Sequence, residues 1–503
     1  MRVIFRVDAS LQMGTGHVMR CLTLAQVLKE NGANVEFICR KHKGNLIDKI
    51  RSSGFAAHEL EAYKEIEADN GLAHSHWLGV TQRQDANDCI NILKAEKSDW
   101  LIVDHYALDE QWQKRLKPYY EKLMVIDDLA DRKHQCDILL DQTFGRQQED
   151  YSALTSKDCQ LLLGSQYALL RPEFAKWRAY SLERRSKLEF RRLLVNMGGV
   201  DVDNVTEKVL DELKICNLPS DLKITIVMGS SAPHLESVKS KAIMLPYKTE
   251  VKVDVDNMAE IMANSDIAIG AAGATTWERC CLGLPTVQIV TADNQMDIAK
   301  NLDSINVIQL YDRKRRLSID IDNISSFTSK MSLASASIVD GRGAPRVERF
   351  ITSKESCIDL FFMRPVELED VNFAYGLQTE KIRKYFVNTD IPSMSHHIDW
   401  FKKTINSPIA QLFVLMLGAH KTGVLRVDNL KSSELEVSII ISPSYSGQGL
   451  AKQALKEIES LIPSKVLKAI IHKNNISSKG LFNRSGYILS NQNGDFLEYR
   501  KNG

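Results

Sequence analysis

Along the first third of the chain, short apolar runs alternate with stretches whose apolar residues recur at helical spacing. Val3–Val7 reads as a buried strand, and a glycine-bearing turn follows it at Gly14-Thr15-Gly16-His17. Leu22, Leu24, Ala25 and Leu28 then line one face of an expected helix. Asn34–Cys39, Trp100–Asp104, Leu123–Asp127 and Cys136–Leu140 read as further strands. Strands alternating with helical stretches imply a parallel sheet of α/β type.

The pattern restarts after a charged stretch, Glu183–Lys187. Arg192–Met197 reads as a strand with Gly198-Gly199 as its turn, and a helix covers roughly Val205 to Leu213. Lys223–Met228, Asp266–Ile269 and Thr286–Ile289 are the next strands. Two such units in tandem imply a cleft lined by the C-terminal ends of their strands. Near residue 355 the character changes. Leu360–Arg364 reads as a strand, Glu367, Glu369 and Asp370 as an acidic helix start, and Glu434–Ser442 as a long alternating strand. Ser446-Gly447-Gln448-Gly449 then leads into a helix through Ala454, Leu455 and Ile458. The nearest thing to a linker is Thr352–Ser356, so the expected domains are 1–180, 181–352 and 357–503.

Length agrees with this division, since 503 residues at about 150 per domain give roughly three domains. An apolar fraction of 44% and a charged fraction of 26% are those of an ordinary globular protein. Lys and Arg number 65 against 64 Asp and Glu, a formal net charge of +1. That balance argues against non-specific nucleic-acid binding, which needs a basic footprint, and leaves room for a local pocket for a phosphorylated small molecule. The nine cysteines include no CxxC pair, so reduced thiols, no metal and a cytoplasmic location are expected. Residues 1–8 turn charged too soon for a signal peptide, and no apolar run approaches the roughly 20 residues of a membrane helix.

Three stretches carry candidate chemistry. In Gly14-Thr15-Gly16-His17 the glycines allow close backbone approach to a ligand, and His17 is suited to act as a general base at neutral pH. Its alternative is a turn histidine with a structural hydrogen bond. Asp104-His105-Tyr106 ends a buried strand. Asp104 either orients a histidine or caps the following helix, and Tyr106 either hydrogen-bonds a sugar or packs. Asp127-Asp128 at the next strand end reads as capping rather than acid–base chemistry, and His74 and His76 as a plain loop rather than a metal pair. The third stretch is Gly270-Ala271-Ala272-Gly273-Ala274-Thr275-Thr276-Trp277-Glu278. Small residues with amides and hydroxyls at a strand–helix turn make a phosphate cradle, and Glu278 can accept from ribose hydroxyls. Gly283-Leu284-Pro285 and Asp293-Asn294-Gln295 follow it.

With these residues in view, the second unit resembles the nucleotide-binding half of a GT-B fold. Residues 1 to about 350 resemble the UDP-sugar hydrolases of pseudaminic acid biosynthesis, which act on a UDP-linked 2,4-diacetamido-2,4,6-trideoxy-β-L-altropyranose. The matching stretches are Phe5–Ser10, Gly14–His17, Ile102–Tyr106, Cys136–Leu140, Tyr167–Phe174 and Met197–Asp201. The resemblance implies metal-independent hydrolysis, with His17 activating water and the anomeric centre inverted. It implies that Gly14, Gly16, Asp104, Tyr106 and Arg171 meet the substrate. Gly198, Gly199, Ala272, Gly273, Ala274 and Thr275 would meet the diphosphate, and Glu278 the ribose.

Residues 357–503 resemble Gcn5-related N-acetyltransferases (GNAT), which bind the acetyl-CoA pyrophosphate through Arg/Gln-x-x-Gly-x-Gly/Ala. Here that pattern falls on Ser446 to Ala451, with Ser446 replacing the usual Arg or Gln. Gly447, Gly449, Ala451 and Asn475 are the acetyl-CoA-binding residues this implies. Phe482 stands where the family often has a tyrosine general acid, leaving His472 and Tyr487 as candidates. His397 and Trp400 resemble positions of the 4-amino-sugar N-acetyltransferase of the same pathway, or they belong to an amphipathic helix. The implied whole is a bifunctional enzyme using a UDP-sugar and acetyl-CoA. A glycosyltransferase, a UDP-sugar epimerase, a nucleotide-sugar sensor and a degenerate C-terminal domain are its rivals.

Overall fold

A computed structural model describes residues 1–62, 71–186, 190–292, 295–311, 324–352 and 360–502, with only the backbone described at 324–327. Three sheets follow one another along the chain. The first has seven parallel strands: β1 (Arg2–Val7), β2 (Asn34–Arg40), β3 (Ala56–Leu60), β4 (Ser98–Asp104), β5 (Tyr120–Ile126), β6 (Ile138–Asp141) and β7 (Gln160–Leu163). Their order is β3-β2-β1-β4-β5-β6-β7. The second sheet holds β8 (Arg192–Asn196), β9 (Lys223–Met228), β10 (Lys248–Val253), β11 (Ile267–Ala271), β12 (Thr286–Ile289) and β13 (Gln309–Leu310), in the order β10-β9-β8-β11-β12-β13. Both are Rossmann-like α/β sheets. The strands absent from the sequence reading, β3, β7, β10 and β13, are the four edges of these two sheets. An edge strand has one neighbour and is less buried, so it need not carry the continuous apolar run of a central parallel strand, as in Lys248–Val253; β7 and β13, of four and two residues, are too short to stand out.

The third sheet is mixed. It comprises β14 (Phe361–Pro365), β15 (Ala410–Leu417), β16 (His420–Asp428), β17 (Glu434–Ile441), β18 (Val466–His472), β19 (Ile488–Asn493) and β20 (Phe496–Asn502). Their order is β14-β15-β16-β17-β18-β20-β19. Among the expected strands only β14 and β17 belong to it.

Packing divides the chain differently from sheet boundaries. One compact unit contains residues 1–172, 230–233 and 341–356, and the other contains 173–229, 234–340 and 357–503. The helix Gly343–Thr352 thus belongs with the first sheet, where Arg346 donates to the Gln166 carbonyl at 2.8 Å. In the second unit the helix Ile324–Ile338 is shared between two sheets. Its Leu333 and Ala336 pack in one core with Phe361, Met363, Phe413 and Leu415 of the third sheet. Lys330 on that helix donates to the Ile405 carbonyl and, at 2.8 Å, to the Ser407 carbonyl. Burial without a carboxylate partner pulls its ammonium down to about 8. The third sheet is therefore built onto the second by shared side chains.

Charge is also buried beneath the first sheet. Arg6 and Arg40 are wholly buried and meet the Asp85 carboxylate at 2.6 and 2.7 Å. Trp112 donates to the same Asp85 at 3.0 Å, and Arg6 also pairs with Asp8 at 2.7 Å. Asp85 lies on the helix Gln82–Leu93, which the Thr81 hydroxyl caps by accepting from Gln84. This cluster ties β1 and β2 to that helix. Removing one partner leaves the others charged and dry, so Asp85→Ala is expected to destabilise the first unit by about 3–5 kcal/mol, read from the midpoint of denaturant unfolding.

Among the described residues no helix is long and apolar enough to cross a membrane. All described cysteines are free thiols.

Candidate active site

Four neighbouring strands of the first sheet run into aspartates: Asp8 after β1, Asp104 in β4, Asp127-Asp128 after β5 and Asp141 in β6. The strands are parallel, so these residues gather along one edge, with Val7 in register with Asp104. Strand order reverses between β1 and β4, which is where open α/β sheets bind ligands.

His17 reaches this edge from the helix Gly16–Glu30. After β1 the chain turns through Ser10–Gly14, closed by Gly14 N–H donating to the Ser10 carbonyl at 2.8 Å. Gly14 has φ of +75°, a conformation that favours glycine. The helix begins at Gly16, so Gly16 and His17 lie in its first turn and not in the preceding loop, as the sequence pattern suggested.

The His17 Nδ1 lies 2.6 Å from Asp104 Oδ1. A carboxylate only accepts, so Nδ1 carries a proton, and in the neutral ring the lone pair is then on Nε2. Nδ1 is the atom through which the described hydrogen bonds to this ring pass, and the side chain is 11% exposed. Arg20, one turn along, donates from Nε and Nη2 to the two Asp104 oxygens at 2.6 and 2.7 Å. Its Nη1 reaches Asp128. Burial opposes ionisation of Asp104, but the Arg20 charge and the hydrogen bonds from Arg20 and His17 outweigh it and hold the carboxyl well below the usual range. Tyr106 donates to Asp128 at 2.9 Å, and its ring meets the His17 ring edge-on at 4.7 Å. Burial, reinforced by Asp128, keeps that phenol protonated.

A second cluster adjoins the first. The Tyr151 hydroxyl lies 3.0 Å from Asp127 and 2.9 Å from Asp141. Arg132 pairs with Asp127 at 2.9 Å, and Arg146 with Asp141 at 2.5 Å. Burial, with the charge of Asp128 adding, pushes Asp141 up to about 7.

The alternatives left open by the sequence now separate. Asp104 orients His17; the cap of the next helix, Glu110–Leu116, is Asp109, which accepts from Gln111. Asp127 and Asp128 do not cap a helix as expected. Asp127 closes a turn by accepting from Ala130 at 3.0 Å, and Asp128 joins the His17 network. The expected plain loop at His74 and His76 is a 3₁₀ turn, Ser75–Leu78. It places the Trp77 ring 6.1 Å from His17 and 5.7 Å from Tyr106, with His74 5.5 Å from Tyr106. Among the described residues no group of metal-ligating side chains forms. His17, Asp104 and Tyr106 are thus brought together beside Gly14 and Gly16, while Arg171 stands just before the helix Pro172–Arg185. Sequence reasoning missed Arg20 and Trp77 and read Asp128 as a cap. Of the two missed residues only Arg20 left a signal, its i+3 spacing from His17 on one helix face.

In the second sheet, order reverses between β8 and β11. Gly198-Gly199 follows β8 and Ala272–Thr275 follows β11, so both turns stand at that switch point. Gly198 and Gly273 have φ of +90° and +130°. The Gly199 carbonyl accepts from Gly229 N–H at 2.9 Å, which pins the first turn. Gly273 and Ala274 are exposed, and Glu278 is half-buried on the helix Thr275–Cys281. Asp293 and Asn294 lie outside the described residues.

In the third sheet, the parallel strands β17 and β18 pair only over Glu434–Glu436 and Val466–Lys468, although they continue to Ile441 and His472. Ser446–Gly449 follows this parting and leads into the helix Leu450–Leu461. Gly447 and Gly449 have φ of +82° and +81° and are exposed, and a Cβ added at either would meet no atom within 4 Å. Ala451 lies in the first turn of the helix. That open, amide-presenting turn fits a pyrophosphate. Asn475 caps the helix Ile476–Arg484 by accepting from Ser478. Tyr487 is buried with its hydroxyl unpartnered, and burial keeps it protonated. His472 accepts from Asn474 N–H at 3.2 Å. His397 and Phe401 are buried, whereas Trp400 is 37% exposed beneath the Arg426 guanidinium.

Comparison with known proteins follows the same division. Residues 192–337 match the glycosyltransferase family 28 C-terminal domain, and residues 361–488 the acetyltransferase (GNAT) domain. The UDP-2,4-diacetamido-2,4,6-trideoxy-beta-L-altropyranose hydrolase of Campylobacter jejuni is 30% identical over 300 residues, 59% of this chain and 95% of the relative. An uncharacterised protein of Methanocaldococcus jannaschii is 23% identical over 97% of this chain and 96% of its own length. Acinetobacter baumannii MurG shares the fold, with a TM-score of 0.50 and 14% identity over 70% of this chain and 98% of that one.

The Asp104 contact makes a direct forecast. Nitrogen-15 spectra of the wild type should show His17 as the Nδ1–H tautomer. In Asp104→Asn, where the acceptor loses its charge, that signal should give way to a mixture of tautomers.

Proposed function

Because the chain belongs, over its first two sheets, to the family of the UDP-2,4-diacetamido-2,4,6-trideoxy-beta-L-altropyranose hydrolase and carries a GNAT domain after them, we propose that it is a bifunctional sugar-nucleotide enzyme. One activity hydrolyses a UDP-linked 2,4-diacetamido-2,4,6-trideoxyhexose. The other transfers acetyl from acetyl-CoA to the 4-amino precursor of that sugar. Both steps belong to nonulosonic (pseudaminic) acid formation in the cytoplasm.

The observation that carries the first activity is the 2.6 Å contact between His17 Nδ1 and Asp104. It leaves Nε2 as the basic nitrogen. His17 takes a proton from water as the water oxygen attacks the anomeric carbon. The bond to the UDP oxygen breaks, UDP departs and the centre inverts. Arg20 holds Asp104 ionised and fixed, so the imidazolium formed at His17 has a counter-charge. Tyr106, with Arg171, lines the sugar site beside Gly14 and Gly16. The nucleotide is held by Gly198, Gly199 and Ala272–Thr275 at the diphosphate and by Glu278 at the ribose. No residue set for a metal is used.

In the third domain Gly447, Gly449 and Ala451 hold the acetyl-CoA pyrophosphate. Acetyl-CoA supplies the activated acetyl group. Asn475 fixes the helix that borders the site. Fusing consecutive steps raises the local concentration of the shared intermediate.

The test follows UDP and CoA release with the synthetic diacetamido and 4-amino UDP-sugars in ¹⁸O-water. Hydrolysis is expected to place one ¹⁸O on C1 of the sugar. Label-free turnover that requires an acceptor would mean a glycosyltransferase, and UDP-sugar isomerisation an epimerase. His17→Ala should lower UDP release at least about 10³-fold while UDP affinity stays within about threefold. Gly449→Trp should abolish CoA release and leave hydrolysis of the acetylated sugar intact.

A further inference from the structure

Arg279 lies directly beneath the turn after β11 and is 1% exposed. Its Nη2 donates to the Ala271 carbonyl at 2.8 Å and approaches Thr276 Oγ1 at 3.3 Å; its Nη1 donates to Thr275 Oγ1 at 3.1 Å. Thr276 in turn donates to Gln288 at 3.0 Å. The guanidinium lies so close to Gly270 that an added Cβ would fall 2.5 Å from Nη1. Nε is buried without a hydrogen-bond partner. Every described contact of this cation is to a neutral oxygen. Burial disfavours its charge, and only the half-buried Glu278 and the neighbouring Cys280 act weakly against that.

A buried cation with no carboxylate in contact is costly unless an anion completes it. The face of this turn open to a ligand is the exposed Gly273-Ala274 side. The hydroxyl of Thr275 has a fixed sense as well. Its oxygen accepts from Arg279, so its hydrogen points away from the guanidinium and is free for an acceptor.

We propose that Arg279 is a positioning residue for the diphosphate: it supplies the charge behind the Ala272–Thr275 turn and orients the Thr275 hydroxyl as a donor to a phosphate oxygen. The assignment rests on the reading of this turn as the UDP site. It goes beyond that reading by making recognition of the diphosphate, as distinct from the nucleoside, depend on a side chain that never touches the ligand.

Calorimetric titration of the full-length chain with UDP, and with uridine by competition, separates this role from a structural one. Arg279→Met should weaken UDP binding about 30-fold or more and leave uridine binding within about threefold. Thr275→Val should give a smaller loss, again confined to UDP. The double variant should lose no more than Arg279→Met alone, because both act through one hydroxyl and one charge. Equal weakening of UDP and uridine would reduce Arg279 to a brace and overturn the assignment, as would unchanged UDP affinity in folded Arg279→Met. Should that variant not fold, Thr275→Val decides: a loss of UDP alone sustains the assignment and no loss refutes it. A wild-type chain that binds neither UDP nor uridine would overturn the underlying reading, and the assignment with it.

Discussion

The parallel pairing of β1 with β4 is the constraint on which the candidate site depends. Their register sets Val7 against Asp104, so the chain leaves β1 at the level where β4 ends. The helix that follows β1 must then start beside the Asp104 carboxylate. His17 and Arg20, three residues apart on that helix, both reach it. A shift of the register by one residue would turn Asp104 to the other face of the sheet and separate it from both. The cluster is thus a product of strand alignment, and loop placement adds only its rim.

Once Asp104 is buried, its charge dictates the rest. A dry carboxylate needs a cation and donors, which Arg20 and His17 provide. Arg20 has donors to spare and extends to Asp128, and Asp128 accepts from Tyr106. Tyr106 returns to pack on His17. The ring of contacts closes on the imidazole and leaves its Nε2 outside the described hydrogen bonds. The second sheet uses the opposite device. Its Gly270–Thr275 turn is backed by a buried cation that meets only neutral oxygens. One sheet end thus sets a histidine against a buried carboxylate, and the other sets a turn against a buried guanidinium.

The GNAT domain is not a bead on a string. Leu333 and Ala336 of the second α/β lobe share a core with the first strands of the third sheet, and Lys330 closes the end of the helix Met394–Ile405. An acetyltransferase domain excised at the boundary near residue 357 would expose that apolar face. The fusion is therefore part of the fold of the second unit.

Much of this was legible in the residues. The central strands of both Rossmann-like sheets announce themselves as continuous apolar runs, because both of their faces are buried. Glycines at strand ends mark the turns, and motif order suggested His17, Tyr106 and the Ala272–Glu278 stretch. Such features are local: they depend on a residue's own neighbours in the chain. Edge strands such as Lys248–Val253 escaped, since a half-exposed strand need not be apolar. So did the choice between capping and orienting for Asp104, and the partners of Arg20, Asp128, Trp77 and Arg279. Those were decided only by the tertiary structure, because a buried charge acquires its function from the partners that packing brings to it, and those partners lie up to 108 residues away along the chain.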